Sequence, residues 1–276
     1  MAGAALVLDT VSGHDALDST CLDRPPTDVA ASLAAAAASA GGSSRLSGLR
    51  VGLPDELSVS ELGEEQRSLW ADGIAWLHEA GATVERVSLP ALKDALAAYY
   101  VVASAEASSN LARYDGARYG AVRESGAPLP WPSRGDFGAE VRRRILAGTF
   151  VLSSRAYQSH YGRAQRVRRR LVDQLDGCMG DGGVDMLLTP ATMGAAPLLS
   201  DALSGAVTDA YVNDIMTVGP SLAGLPAITV PCALSSADRM PLALQLVGSW
   251  DGEAELCRAA QVLEDSAEFS SNAIVD

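Results

Sequence analysis

Three residues of the sequence have the types needed to hold a small zwitterion: Tyr99, Arg144 and Asp214. The carboxylate of Asp214 can meet an ammonium group, and the guanidinium of Arg144 can bind a carboxylate through two parallel hydrogen bonds. Tyr99 can add a hydroxyl group. Each residue also has an ordinary interpretation, as a helix cap, a surface charge or a core aromatic, so the residue types alone leave both possibilities open.

Asp214 stands in an apolar stretch, Tyr211–Pro231. An ionised carboxylate in such surroundings costs free energy unless it is paired. Asp214 therefore either caps a helix that begins here or binds a cationic group of a ligand. The stretch then passes through a Gly-Leu-Pro corner into a short predicted strand, Ala227–Val230, which Pro231 is expected to end.

Other catalytic chemistries find little support in the sequence. The nearest match to a nucleophile elbow, Gly219–Gly224, is one residue too long. The three histidines stand in a loop, in an amphipathic helix and on a helix surface, which gives a Ser-His-Asp triad little basis. No His-x-x-x-His pair and no acidic ligand loop is present, so we predict no metal site. The only lysine is Lys93, at the start of a predicted helix, so no lysine is a candidate for catalysis.

Two further segments have alternative interpretations. Gly41–Ser44 is similar to the Gly/Ser-rich segment of serine amidases, but its place between an alanine tract and a strand favours a linker. Five arginines cluster on one predicted helix, at positions 163, 166, 168, 169 and 170. They either form a solvated face that balances an acidic protein or contact a partner or an anion.

The composition excludes several classes of protein. The 276 residues carry 21 Lys and Arg against 34 Asp and Glu, and the net charge of −13 argues against this chain holding nucleic acid by itself. Four widely spaced cysteines without a Cys-x-x-Cys pair predict a reducing compartment and no zinc site. No apolar run approaches the roughly 18 residues of a membrane span, so we expect no membrane contact.

Strands and helices alternate along the chain, which predicts an α/β fold with a sheet covered by helices on both faces. Residues 24–47 are predicted to be a low-complexity, linker-like segment that includes an alanine-rich helix, and residues 1–8 the end of a helix whose start is missing. The predicted strands are residues 50–54, 83–87, 184–189, 227–230 and 242–247. The predicted helices are residues 60–80, capped by Ser60, then 92–113, 137–150, 154–175 and 253–264, with a Gly- and Pro-rich loop at 116–132.

Six segments resemble a known family when they are taken in order. They are residues 97–120, 137–153, 161–171, 184–192, 213–231 and 241–248. Together they resemble the carboxy-terminal half of the A subunits of glutamyl-tRNA(Gln) amidotransferases, which belong to the amidase signature family. The resemblance implies a three-layer α/β/α sandwich with a mixed central sheet. Residues 1–276 would then be the carboxy-terminal part of a single amidase domain whose amino-terminal half is missing.

The resemblance also implies a function. Such a complex converts Glu-tRNA(Gln) to Gln-tRNA(Gln): the A subunit hydrolyses glutamine to supply ammonia, and the B subunit uses ATP and Mg²⁺ to activate the glutamate. A small C subunit ties them together. The tRNA would be held mainly by the B subunit, and this chain would bind no cofactor. The family's glutamine pocket maps onto Tyr99, Arg144 and Asp214, in agreement with a zwitterion receptor.

One departure from the family matters most. The family's Ser–cis-Ser–Lys triad and its oxyanion loop lie upstream of the Gly-His-Asp-x-x-Asp-Ser-Thr segment, which is residues 13–20 here. The resemblance therefore implies that the chain holds no catalytic residue, and we expect it to be a fragment that is inactive alone.

The resemblance leaves the setting and two other roles open. Residues 61–70 and 183–192 are similar to organellar versions, which favours a mitochondrial location, with a plastid or the bacterial cytoplasm as alternatives, although no targeting segment is visible. The alternative functions are a stand-alone amidase of the same family and a non-catalytic scaffold subunit.

Overall fold

The computed structural model describes residues 1–23, 25, 28–39, 45–115, 137–200, 213–267 and 269. Its α-helices are α1 (Ala2–Val11), α2 (Val29–Ser39), α3 (Glu64–Glu79), α4 (Leu92–Asn110), α5 (Ala139–Val151), α6 (Gly162–Met179), α7 (Val218–Ala223) and α8 (Glu253–Ala267). Its strands are β1 (Arg50–Pro54), β2 (Thr83–Val87), β3 (Met186–Pro190), β4 (Ala227–Leu234) and β5 (Pro241–Gly248). Each of the five predicted strands is therefore present.

The chain divides into two compact units: unit 1 comprises residues 1–92 and 172–276, and unit 2 comprises residues 93–171. Unit 1 contains a five-stranded sheet with the order β2-β1-β3-β5-β4. β1 is parallel to both β2 and β3, whereas β5 is antiparallel to both β3 and β4. The mixed sheet predicted for the family is confirmed.

Side chains of the central strands alternate between the two faces of this sheet, as strand geometry requires. On one face Leu188 and Leu244 meet α3, where Trp70 also donates its indole N–H to the Leu188 carbonyl at 3.2 Å. On the other face Leu187 and Val247 surround an apolar cavity with side chains of α6 and α7. Helices thus cover both faces, and the three-layer α/β/α architecture is confirmed.

A smaller apolar cluster joins α1, α2 and α8. Ala5, Val29, Leu33 and Cys257 are buried together, and the carboxylate of Asp9 accepts the first N–H groups of α2, from Val29 at 2.9 Å and Ala30 at 2.8 Å. Residues 29–39 of the segment that the sequence predicts as linker-like therefore form a capped and packed helix. Residues 40–44 of that segment lie outside the described residues.

Several boundaries differ from the predictions, and two of these differences have a clear physical reason. α3 begins at Glu64 with Gly63 as N-cap, and Ser60 instead donates its hydroxyl to the Glu61 carboxylate at 2.9 Å. β4 does not end at Pro231 but continues to Leu234, with an irregularity between Pro231 and Ala233. β4 is an edge strand, where a proline without an N–H costs no ladder hydrogen bond.

Unit 2 is helical in its described part, which includes most of α4, all of α5 and the first half of α6. A π-helical turn, Tyr157–Tyr161, leads directly into α6. The loop predicted around residues 116–132 lies outside the described residues. No helix in the described ranges of either unit is both long and apolar enough to cross a membrane.

Candidate functional site

The two predicted receptor residues of unit 2 share one neighbourhood. The guanidinium carbon of Arg144, on α5, lies 5.5 Å from the ring centre of Tyr100, on α4. This distance is within the range of a cation–π interaction. The ring of Tyr100 in turn meets the ring of Tyr99 edge to face, with 5.3 Å between the ring centres. Arg144 and Tyr99 thus both contact the ring of Tyr100, and all three side chains are half-buried.

A glycine on α5 makes this arrangement possible. A Cβ atom added to Gly148 would lie 2.0 Å from the carbonyl oxygen of Ser104 and 2.6 Å from the Cβ of Ser108. α4 and α5 therefore cross at backbone contact distance, which no larger residue permits. Gly148 stands one helical turn after Arg144, and Ser104 one turn after Tyr100. The close crossing consequently brings the arginine to the tyrosine ring.

Two polar contacts fix the orientation of these helices and of the arginine. The Nε of Arg144 donates to the Glu140 carboxylate at 3.0 Å, which is an i, i+4 pair on α5. The hydroxyls of Ser108 and Thr149 are 3.1 Å apart and share a hydrogen bond beside the crossing. The guanidinium is therefore held by a carboxylate at its Nε and by an aromatic ring at its face.

Asp214 has a different local setting, in unit 1. It lies inside a 3₁₀-helix, Asn213–Met216, and it is half-buried. Its carbonyl oxygen accepts hydrogen bonds from the N–H of Thr217 at 3.0 Å and from the Thr217 hydroxyl at 3.1 Å. The N-cap of the following helix α7 is Thr217. Asp214 does not occupy the N-cap position of α7.

A buried glutamine anchors the 3₁₀-helix that carries Asp214. Gln245, on β5, uses one side-chain nitrogen to donate to the Met216 carbonyl at 2.9 Å and to the Thr189 hydroxyl at 3.0 Å. Gln245 and Thr189 are cross-strand partners, and they are only 4% and 2% exposed. Since an unpaired buried carbonyl is costly, this pair of hydrogen bonds holds the end of the 3₁₀-helix against the sheet.

Apolar packing beneath Met216 completes the support. Met216 is 1% exposed and lines the apolar cavity with Leu187, Val247 and Leu175. α7 also approaches closely, because a Cβ on Gly219 would lie 2.8 Å from Leu92. α7 then ends at Gly224, whose φ of +77° favours glycine. Asp214 is thus presented from a short, firmly packed segment.

The structure therefore establishes two neighbourhoods separately: Tyr99 with Arg144 in unit 2, and Asp214 in unit 1. Sequence reasoning missed Tyr100, Gly148 and Gln245. The Glu140–Arg144 spacing of four residues was a visible signal for the ion pair. A single glutamine inside the apolar strand Leu242–Val247 was a signal for a buried polar anchor.

Thiol and metal chemistry find no support in the described part of the chain. Burial raises the pKa of the Cys232 thiol to about 11, and it also raises the pKa of Cys178 and of Cys257. These thiols stay protonated at neutral pH and are poor nucleophiles. Among the described residues, no group of three or more His, Cys, Asp or Glu side chains could hold a metal ion.

Known proteins match nearly the whole length of this chain. An A subunit of glutamyl-tRNA(Gln) amidotransferase from Methylorubrum extorquens (strain PA1) is 42% identical over 267 residues, which are 95% of this chain and 52% of the relative. The chain thus spans about half the length of the curated relatives it matches, and that half is the carboxy-terminal one.

Solved structures show the same fold. The A subunit of glutamyl-tRNA(Gln) amidotransferase from Thermotoga maritima has a TM-score of 0.70 and 30% identity, and the match covers 98% of this chain and 52% of that one. A peptide amidase from Stenotrophomonas maltophilia has a TM-score of 0.65 at 23% identity, over 97% of this chain and 52% of that one, which supports the fold alone. The sequence pattern of the amidase family matches residues 1–257, and the chain belongs to the amidase family.

Proposed function

We propose that this chain is the carboxy-terminal part of an A subunit of a glutamyl-tRNA(Gln) amidotransferase and that it supplies the receptor for glutamine. The observation that carries the proposal is the half-buried Arg144, held by Glu140 and Tyr100 beside Tyr99. The identity of 42% to an A subunit supports the choice of complex.

Each receptor residue has a distinct role in the proposal. Arg144 binds the α-carboxylate of glutamine, since a fixed guanidinium matches the geometry of a carboxylate. Asp214 binds the α-ammonium group, and the rigid support from Gln245 keeps its position constant. Tyr99 donates its hydroxyl to the ligand. A receptor with one positive and one negative group selects a free amino acid, which is a zwitterion, over a neutral amide.

Hydrolysis itself requires groups that the family resemblance places upstream of residue 13. The one lysine of the chain, Lys93, is exposed at the start of α4, where a general base would be fully solvated. We therefore propose that the 276-residue chain alone releases no ammonia. In the complex, a B subunit uses ATP and Mg²⁺ on the tRNA-bound glutamate, and a C subunit ties the two larger subunits together. The mitochondrial location stays a prediction, because the relatives named above come from bacteria.

The test uses the native amidotransferase complex, with substitutions introduced into the gene. Arg144→Lys keeps the charge but loses the bidentate fork, and Asp214→Asn loses the charge. We expect each to raise the KM for glutamine at least tenfold, as the loss of a charged hydrogen bond worth about 1.5–3 kcal/mol requires. With ammonium chloride as the nitrogen donor, both variants should form Gln-tRNA(Gln) at the wild-type rate.

Arg142→Lys is the matched control, because Arg142 is an exposed neighbour on the same helix. Its KM for glutamine should equal the wild-type value. If Arg144→Lys and Arg142→Lys behave alike, the proposed receptor is wrong. If both receptor variants also fail with ammonium, their effect lies outside the glutamine site.

A further inference from the structure

The charge of the protein is divided unequally between its two units. Unit 2, residues 93–171, carries 14 Lys and Arg against 6 Asp and Glu, whereas the rest of the chain carries 7 against 28. The net charge of −13 thus combines a basic unit of +8 with an acidic remainder of −21. An asymmetry of this size predicts that unit 2 meets a polyanion.

Three of the five arginines of α6 share one face of the helix. Arg163, Arg166 and Arg170 follow one another at spacings of three and four residues, and all three are exposed. Ala164 and Leu171, on the adjoining side of the helix, are buried. Arg170 is paired with Asp94 of α4 at 2.5 Å. Among the described residues, no carboxylate lies within ion-pair distance of Arg163 or Arg166.

One aromatic ring, that of His160, adjoins this basic face, and further exposed rings lie in the same part of unit 2. His160 and Arg163 line the same groove between α4 and the start of α6. The ring of Phe150, 58% exposed, packs edge to face on His160 at 5.5 Å. Tyr157, 41% exposed, lies against Tyr161 at 5.2 Å. Exposed rings of this kind next to arginines are the surface on which unstacked bases bind.

We propose that the arginine face of α6 and its neighbouring aromatic rings form a binding surface for a single-stranded stretch of RNA. Arg163, Arg166 and Arg170 span about 10 Å of helix axis, and three arginines can neutralise about three phosphates of one strand. An acidic protein segment would use the arginines but would leave the exposed rings without a role. The choice of RNA rests on the proposed function, which supplies an RNA substrate. The surface itself adds a contact beyond those of the B subunit.

The test is fluorescence anisotropy of the 276-residue chain with a labelled, unstructured 20-nucleotide RNA at several salt concentrations. Three neutralised phosphates give a slope of log K against log salt of about −2, or about 20-fold weaker binding between 50 and 200 mM salt. Arg163→Gln combined with Arg166→Gln should reduce this change to about threefold. Arg67→Gln combined with Arg86→Gln, the same charge change on exposed arginines of unit 1, should leave the slope unchanged.

Three outcomes would overturn the proposal. They are no binding at 50 mM salt, an unchanged slope in the Arg163/Arg166 variant, and equal affinity for a poly-glutamate of the same charge, which would identify an acidic protein partner instead. Circular dichroism of each variant confirms that the fold is retained. Because this assay involves no amide hydrolysis, its failure and a failure of the glutamine receptor are separate results.

Discussion

Gly148 determines how closely α4 and α5 cross, and its replacement by alanine is the sharpest test of the Arg144 neighbourhood. The new Cβ would lie 2.0 Å from the Ser104 carbonyl oxygen, whereas ordinary contact begins at 3.4 Å. The two helices must therefore separate by about 1.4 Å, because the obstacle is backbone and cannot rotate away.

The magnitude follows from two opposing terms. Overpacking of this kind costs about 3 kcal/mol at the upper end, and alanine regains about 1 kcal/mol of helix propensity. We expect a net loss of about 2 kcal/mol in the free energy of unfolding. The separation also carries Arg144 from 5.5 Å to beyond the roughly 6 Å limit of its interaction with Tyr100. In the native complex, the KM for glutamine should rise accordingly.

The assay is urea unfolding followed by circular dichroism, with Gly177→Ala as the matched control. Gly177 lies in α6, and nothing surrounds an added Cβ within 4 Å. This variant should be about 0.5–1 kcal/mol more stable than the wild type. If Gly148→Ala is as stable as Gly177→Ala, the close helix crossing and the support it gives to Arg144 are both refuted.

Three further predictions follow from unit 1. Gln245→Met leaves the Met216 carbonyl and the Thr189 hydroxyl without their buried donor, so the free energy of unfolding should fall by about 2–4 kcal/mol; an exposed control, Gln158→Met, should change nothing measurable in the same melt. The raised pKa of Cys232, about 11, means that unfolding releases its proton above pH 9. The contribution of Cys232 to the free energy of unfolding is therefore full below pH 9 and should fall by up to about 3 kcal/mol towards pH 11. The free energy of unfolding of Cys232→Ala should depend less steeply on pH. Equal pH dependence of the two proteins would contradict the burial of a neutral thiol. With a thiol reagent at pH 7.5, Cys21 on its exposed loop should react first, and Cys232 and Cys257 only on unfolding; simultaneous reaction of all four thiols would show that the two buried cysteines are accessible.

Local patterns predicted the strands well, because short apolar runs bounded by proline or glycine are typical of α/β sheets. Local patterns failed to predict the ends of elements where those ends depend on residues distant in sequence. Pro231 was expected to end β4, but nothing local shows that the strand lies at an edge where proline is tolerated. Likewise α3 begins after Gly63, whose N–H donates to the Met193 carbonyl at 3.0 Å, a contact 130 residues away in sequence.

In the candidate site, too, the sequence predicted some residues, whereas others depend on distant partners. Tyr99, Arg144 and Asp214 were predicted from their residue types and from the family resemblance, and they stay predictions as ligand contacts. Their supports depend on packing that one sequence does not display. In the sequence Gly148 is an ordinary helix glycine, and only its contact with α4 shows why a larger residue does not fit. The role of Gln245 likewise depends on its hydrogen bond to the Met216 carbonyl.

Net charge was a poor guide to possible partners, because it averages over both units. The value of −13 argued against nucleic acid, yet the division into units separates a basic from an acidic part. The arginine cluster at 163–170 was visible in the sequence, but its single exposed face depends on the burial of Ala164 and Leu171.

The central claim is that this chain carries the glutamine receptor of an amidotransferase A subunit without its hydrolytic groups. Ammonia release from glutamine tests it most directly, by comparing the 276-residue chain with native protein captured by an antibody against Leu92–Asn110. Since the 267 matched residues of this chain make up 52% of the relative, the captured protein should have about twice the 28.5 kDa mass of this chain. We predict ammonia release by the captured protein and none by the 276-residue chain. Glutaminase activity in the isolated chain, or its absence from the captured protein, would contradict the account.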